Sequence, residues 1–279
     1  QYHFGDSMGH GDGWGEEIIQ QCWMDFAAQQ RGALLTIYDP SRVRWLVDSR
    51  GMPPGLESFL KEAPFERWGY FPVDASGPNN QLTGVLGDTI RRFDRKLTYG
   101  MWASEVVGRS IGQEVDWLPH GINFNAFQPR DKTAARLAMG LKSSDVVIGM
   151  VATNQIRKDW GLAFVVFDQI RKQRPHVKFW IHVDDLYRHW NIQAMIQDYR
   201  LQGHVRLTEP DSMSDTELSW YYSGCDLTIL PSAEGFGYPI AESLACGTPV
   251  IHGNYAGGAE LITDPRGVVE PVTFRLEGF

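Results

Sequence analysis

The sequence predicts an α/β protein built from two doubly wound, parallel-sheet domains, residues 1–128 and 129–279. Three observations predict it. In the second half, short apolar runs alternate with helix-period segments over and over. A looser alternation with longer loops fills the first half. Between the two lies Pro119–Pro129, rich in Pro, Gly and Asn and without a period, which reads as a connection.

Composition agrees with this class. The chain has 279 residues, enough for two cores. With 43% hydrophobic and 22% charged residues, it is neither disordered nor collagen-like. The 26 Lys and Arg against 34 Asp and Glu give a net charge of −8, which argues against a dedicated binder of nucleic acid or anionic membranes. No apolar run approaches the ~20 residues of a spanning helix. Cys22, Cys225 and Cys246 are far apart and form no CxxC, so they read as small buried hydrophobes. That usage and the absence of a signal-like opening lead to an expected place in the reducing cytosol.

The elements follow in order. Gly9, Gly11, Gly13 and Gly15 precede a helix from about Glu16 to Gln29. Ala33 to Tyr38 is a strand ending in Asp39-Pro40, and Trp68 to Val73 is a second, ending in Asp74. Leu97 to Ala103 and Val115 to Leu118 read as the third and fourth. Val146–Val151 is an apolar run bounded by polar residues, hence a buried strand. A helix follows from Trp160 to Gln173, with Leu162, Val165, Val166 and Ile170 as its expected buried stripe. Next come a strand (Val177 to Val183), a helix (Leu186 to Leu201) and a short strand (Val205 to Leu207). Ser214-x-x-Glu217 has the form of a capping box that opens another helix. Leu227–Leu230, Pro239–Ala245 and Pro249–Ile251 complete the series as strand, helix and strand.

The segment from Pro231 to Glu242 carries the most chemistry. It leaves a buried strand and opens a helix. Gly235 and Gly237 let a ligand approach the backbone closely. Free amides and the helix dipole there suit an anion. Glu234 stands before the loop and Glu242 in the expected first turn, where carboxylates can accept hydrogen bonds from sugar hydroxyls. The plain alternative is a Gly-rich strand-to-helix turn with a dipole-compensating Glu.

The stretch PSAEGFGYPIAESLACGTPVI, with Glu234-x7-Glu242, resembles the signature of the GT-B retaining glycosyltransferases, specifically glycosyltransferase family 4. Leu118-Pro119-His120-Gly121-Ile122-Asn123 resembles that family's linker. Ile148–Val151 through Arg157-Lys158 resembles its first donor-domain strand and basic loop. Gly257-Gly258-Ala259-Glu260-Leu261 resembles a further Gly-Gly-x-Glu motif. The likeness covers about Leu118 to Ile262. It implies two Rossmann-like domains facing a cleft, an acceptor side first and a nucleotide-sugar side second.

The resemblance also implies roles. Arg157 and Lys158, with the amides of Gly235, Phe236 and Gly237, would hold the donor diphosphate and neutralise it as it leaves. Asn154 lies where the family usually has a basic residue nearby, so it is expected near the donor, with the charge shifted to Arg157. Glu242 would bind the nucleotide ribose and Glu234 sugar hydroxyls. Tyr38 stands where the family often has an active-site His, next to Asp39, and both are expected at the reacting centre. A Tyr hydroxyl can hydrogen bond but does not change charge near neutral pH. Asp74 and His120 are expected to face the acceptor and cleft.

Glu234, Arg157, Lys158, Tyr38 and Asp39 thus form the expected catalytic set. By the same resemblance, transfer would retain configuration without a metal or cofactor, with which the lack of an apparent metal-spaced cluster or DxD agrees. The expected partners are a nucleotide-sugar and an acceptor sugar, lipid or glycan, with no nucleic acid.

The Gly9–Gly15 stretch invites a phosphate-loop reading, which Glu16 and Glu17 at the helix start oppose. By the resemblance, the family's own first strand and glycine loop are expected upstream of Gln1, and returning helices after Glu260. The sequence is therefore expected to be incomplete at both ends. The rival readings are a non-catalytic nucleotide-sugar or sugar-binding module on the same scaffold, and a nucleotide-sugar 2-epimerase.

Overall fold

The computed structural model describes residues 15–16, 18–27, 31–63, 65–208 and 213–269. Of the Gly9–Gly15 stretch only Gly15 falls within them, and Glu17 falls outside. The chain forms two compact units, Gln1–Pro119 and His120–Phe279. The sequence places the boundary at residue 128. The difference has a packing cause: Ala126 and Phe127 are buried beside Tyr222 in the second unit.

The first unit holds four parallel strands in the order β1 (Gly32–Ile37), β2 (Phe65–Phe71), β3 (Arg95–Thr98), β4 (Asp116–Trp117). Helices α1 (Ile19–Ala27), α2 (Pro54–Glu62), α3 (Gly84–Arg91) and α4 (Met101–Ile111) share one core with this sheet. Trp23, Leu60, Phe71, Ile90 and Val107 are among its buried members. Leu35 and Ile37 alternate with Leu34 and Thr36 along β1, and they are 51% and 53% exposed.

The expected strand Leu97 to Ala103 is corrected here: it ends at Thr98, and Met101 starts α4. Gly100 breaks the run as an extended N-cap, and Ala103, Val106 and Val107 then bury one helical face. Gly112 ends that helix at φ 69°, a left-handed conformation that glycine adopts without strain.

The second unit alternates helix and strand throughout: α5 (Lys132–Ala138), β5 (Val146–Val151), α6 (Trp160–Gln173), β6 (Val177–His182), α7 (Ile192–Asp198), β7 (Val205–Thr208), α8 (Asp215–Gly224), β8 (Leu227–Leu230), α9 (Tyr238–Ala245), β9 (Val250–Gly253), α10 (Ala256–Glu260) and β10 (Val268–Val269). All six strands are parallel, in the order β10-β9-β8-β5-β6-β7. Alternate residues of β5 feed two cores. Ile148 and Met150 face α6 and α7, while Val147 faces α5 and α8. Gly149 makes room for Trp180, whose ring would lie 2.9 Å from any added Cβ.

Three expectations shift. The helix at Leu186 to Leu201 is only Ile192–Asp198, because residues 184–190 are tied into a neighbouring loop and Asn191 caps the helix. α6 buries Trp160, Ala163, Phe164 and Phe167, and Ile170 of the expected stripe packs partly buried on the same core, while Leu162, Val165 and Val166 are 45%, 43% and 37% exposed. α9 starts at Tyr238, so Glu242 sits in its second turn and not its first. No helix among the described residues is long and apolar enough to cross a membrane.

Candidate active site

The strand order of the second unit reverses at β5, which pairs with β6 on one side and β8 on the other. Ligands of open α/β sheets bind at the carboxyl ends of strands beside such a point. The loop after β5 carries Asn154, Arg157 and Lys158, and the loop after β8 carries Ser232 to Gly237.

These two loops meet through Glu234, which is 5% exposed. Its Oε1 accepts from Lys158 Nζ and from Ser232 Oγ. Its Oε2 lies 3.2 Å from Arg157, which also donates to Ala233 O at 2.7 Å. Burial alone would raise the Glu234 pKa. The Lys158 charge and hydrogen bond, Ser232 and the Arg157 charge outweigh it and hold the carboxyl below its usual value. Lys158 is itself 6% exposed, so this is a buried ion pair with one exposed second cation.

The backbone beyond Glu234 needs glycine in two places. Gly237 caps α9 at φ 89°. A Cβ on Gly257 would stand 2.1 Å from Gly235 O, so the start of α10 lies against this loop. Gly258 N–H donates to Glu234 O at 2.9 Å. His252, 1% exposed, donates from Nδ1 to Leu230 O at 2.6 Å, and burial lowers its pKa, so the neutral ring props the end of β8.

His120 joins this loop. Its ring stacks on Tyr238 at 5.3 Å and meets Phe236 edge-on at 5.2 Å. Burial lowers its pKa. Phe236 is buried, so it acts as a floor under His120. Tyr238 stays 45% exposed.

Glu242 is reached from another direction. The hydroxyl of fully buried Tyr222 on α8 donates to its Oε2 at 2.8 Å. Burial raises the Glu242 pKa to about 7, against the Tyr222 hydrogen bond that lowers it, and Asp215 raises it further.

Asn154 does not meet the expectation of a donor contact. It is 0% exposed, and its amide nitrogen donates to Asp185 O and Trp190 O at 2.7 and 2.8 Å. Its amide oxygen accepts from Trp190 N at 2.9 Å. With no exposed atom it shapes the basic loop from behind.

Tyr38 and Asp39 follow β1 and Asp74 follows β2, at the carboxyl ends of paired strands in the first unit. Tyr38 is 44% exposed and Asp74 half-buried. The sequence singled out Glu234, Arg157 and Lys158, and the structure brings them together. Ser232 and Tyr222 were missed. Ser232 could have been found two residues before Glu234; Tyr222, in a helix far along the chain, gave no local signal. No group of three or more metal-binding side chains occurs among the described residues.

Residues 131–273 match the family model for glycosyl transferases group 1. A D-inositol 3-phosphate glycosyltransferase of Segniliparus rotundus is 27% identical over 228 residues, covering 80% of this chain and 51% of that protein. An uncharacterized glycosyltransferase 335 of Sulfolobus islandicus rod-shaped virus 1 is 29% identical over 151 residues, covering 52% and 43%. The chain thus spans about half the length of the curated relatives it matches. Among solved structures, Anabaena Alr3699/HepE in complex with UDP-glucose aligns with a TM-score of 0.67 at 18% identity, covering 92% of this chain and 68% of that one. Sucrose-phosphate synthase from Thermosynechococcus elongatus aligns at 0.65 and 20%, covering 85% and 59%. At these identities the likeness establishes the fold, which is GT-B.

Proposed function

Because the chain belongs to the glycosyl transferases group 1 family, we propose that it moves a sugar from a nucleotide-sugar to an acceptor hydroxyl with retention of configuration. The observation that carries this reading is the buried Glu234 carboxylate gripped by Lys158 and Arg157 beside the N-terminus of α9.

Two cations and one carboxylate leave a net positive charge, and the amides at the start of α9 add to it. A donor diphosphate fits that field. As the bond from the sugar to the diphosphate breaks, negative charge grows on the leaving oxygen. Arg157 and Lys158 stabilise it there. The acceptor oxygen bonds to the same sugar carbon on the same face, and its proton passes to the leaving phosphate. Glu234 binds sugar hydroxyls, Glu242 the ribose, and Tyr38, Asp39, Asp74 and His120 the acceptor side. No metal is required, since protein cations meet the leaving charge. A relative solved with UDP-glucose supports a nucleoside diphosphate sugar as donor.

The test is release of nucleoside diphosphate from a panel of UDP- and GDP-sugars with simple acceptors, with and without EDTA. The expected product keeps the donor's anomeric configuration by NMR, at a rate EDTA does not change. Tight donor binding without turnover would favour a binding module instead.

A further inference from the structure

We propose that Tyr222 is a positioning residue of the donor site, whose buried hydroxyl pins one oxygen of Glu242 and leaves the other directed to the ribose diol. This rests on the reading of Glu242 as the ribose ligand.

The phenol has little freedom. Tyr222 is 0% exposed, and Trp180 and Phe127 meet its ring edge-on at 5.7 and 6.3 Å. Thr248 Oγ1 donates to its carbonyl at 2.7 Å. The Thr248 carbonyl in turn accepts from Ser243 of α9, which contacts Thr228 of β8. α8, α9 and β8 are thus tied together at the backbone of Tyr222, which fixes the residue that carries the hydroxyl.

That hydroxyl donates to Glu242 Oε2 at 2.8 Å. Oε1 accepts no hydrogen bond among the described residues, yet it is not sealed from solvent. A vicinal diol offers two donors and calls for an ionised, fixed acceptor.

The same bond opposes protonation. Burial and the like charge of Asp215 favour the neutral acid, and the Tyr222 hydrogen bond favours the anion. The other titratable groups facing Glu242 are Tyr238 at the start of its own helix and Cys246 just past its end. Strands β8 and β9 hold only one titratable side chain, His252, which is turned to Leu230 and Gly258. Donor binding should therefore strengthen as pH rises through the neutral range, with Tyr222 setting where.

The experiment measures the dissociation constants of UDP and 2′,3′-dideoxy-UDP, with GDP and its dideoxy form as a second pair, from pH 6 to 9. Their ratio reports the ribose contact and cancels titration of the phosphates. In the wild type the ratio is expected to be about tenfold above pH 8 and to fall toward one below pH 6. In Tyr222→Phe the ratio at pH 7 is expected to drop at least about threefold, with its midpoint moved to higher pH. 3-Fluorotyrosine at 222, a stronger donor, is expected to move the midpoint down, which a merely structural role would not do. A Tyr222→Phe protein with unchanged ratio and midpoint would overturn the inference. So would a wild type that binds UDP or GDP with a ratio near one, while leaving the donor-site reading intact. No binding of any of the four would overturn both.

Discussion

Glu234 keeps its charge where water is excluded, and this separates the roles of its two cations. Removing one partner of a buried ion pair costs about 3–5 kcal/mol, because the other charge stays behind unpaired. The Lys158 side chain is 8% exposed and meets that description. The Arg157 side chain is 38% exposed, so solvent screens it and its pairing contributes about 0–1 kcal/mol. Lys158→Met is therefore expected to cost about 3–5 kcal/mol in urea titrations, and Arg157→Ala under about 1 kcal/mol. Adding Glu234→Gln to Lys158→Met should recover part of the loss. Both single variants are expected to lose donor turnover, since both cations face the leaving charge in the proposed reaction. Equal stability losses would contradict the burial argument. These residues were legible because they fall within motifs that resemble a family signature; charge beside a strand end alone left the plain reading of the loop open. Asn154 was not: an amide reads alike whether it binds a ligand or ties two loops together, and here its polar atoms are taken by Trp190 and Asp185.

Elements were legible where one pattern had no rival. The capping box at Ser214 and Glu217 forms as its spacing predicts, with both reciprocal bonds present. β5 and β8 match the expected runs residue for residue. α6 had two apolar stripes to choose from, and its length was right while its facing was right at Ile170 alone and wrong at Leu162, Val165 and Val166. Trp160, Phe164 and Phe167, spaced by four and three, compete with Leu162, Val165 and Val166. The aromatic set wins because it buries more area, and Phe164 and Phe167 both pack on Phe179 of β6. Phe167→Ala is accordingly expected to cost about 3–5 kcal/mol, and Val165→Ala no more than about 0.5 kcal/mol. Thermal melts of the two variants check this, and a larger loss from Val165→Ala would restore the other face. Met101–Ala103 failed for a related reason. An apolar triplet after a strand looks like more strand until Val106 and Val107 reveal the helical period.

At the scale of the whole molecule, alternation revealed two parallel-sheet units but not where they part. A Pro- and Gly-rich segment looks like a linker, although Ala126 and Phe127 inside it are core residues of the second unit. Composition was equally silent on how stability depends on pH, because that depends on burial. Glu242 illustrates the conflict between site and fold. Its pKa is pushed up to about 7 when folded, against the ordinary 4.5 of a glutamate carboxyl. Below 4.5 it is protonated in both states and adds no penalty. As pH rises from 4.5 to about 7, the unfolded chain releases the proton while the folded one keeps it, so stability falls. Above about 7 the penalty is complete, on the order of 3 kcal/mol at most. Glu242→Gln has no such proton, and its amide oxygen can still accept from Tyr222. The variant is therefore expected to gain stability over the wild type progressively between pH 5 and 8, reaching about 3 kcal/mol at most, while losing donor affinity. Urea-unfolding midpoints of both proteins across that range test it. A difference that stays constant with pH would show that Glu242 titrates normally in the folded state. A difference that grows alongside a loss of nucleotide binding would mean that the fold bears a cost at Glu242 for the contact it makes.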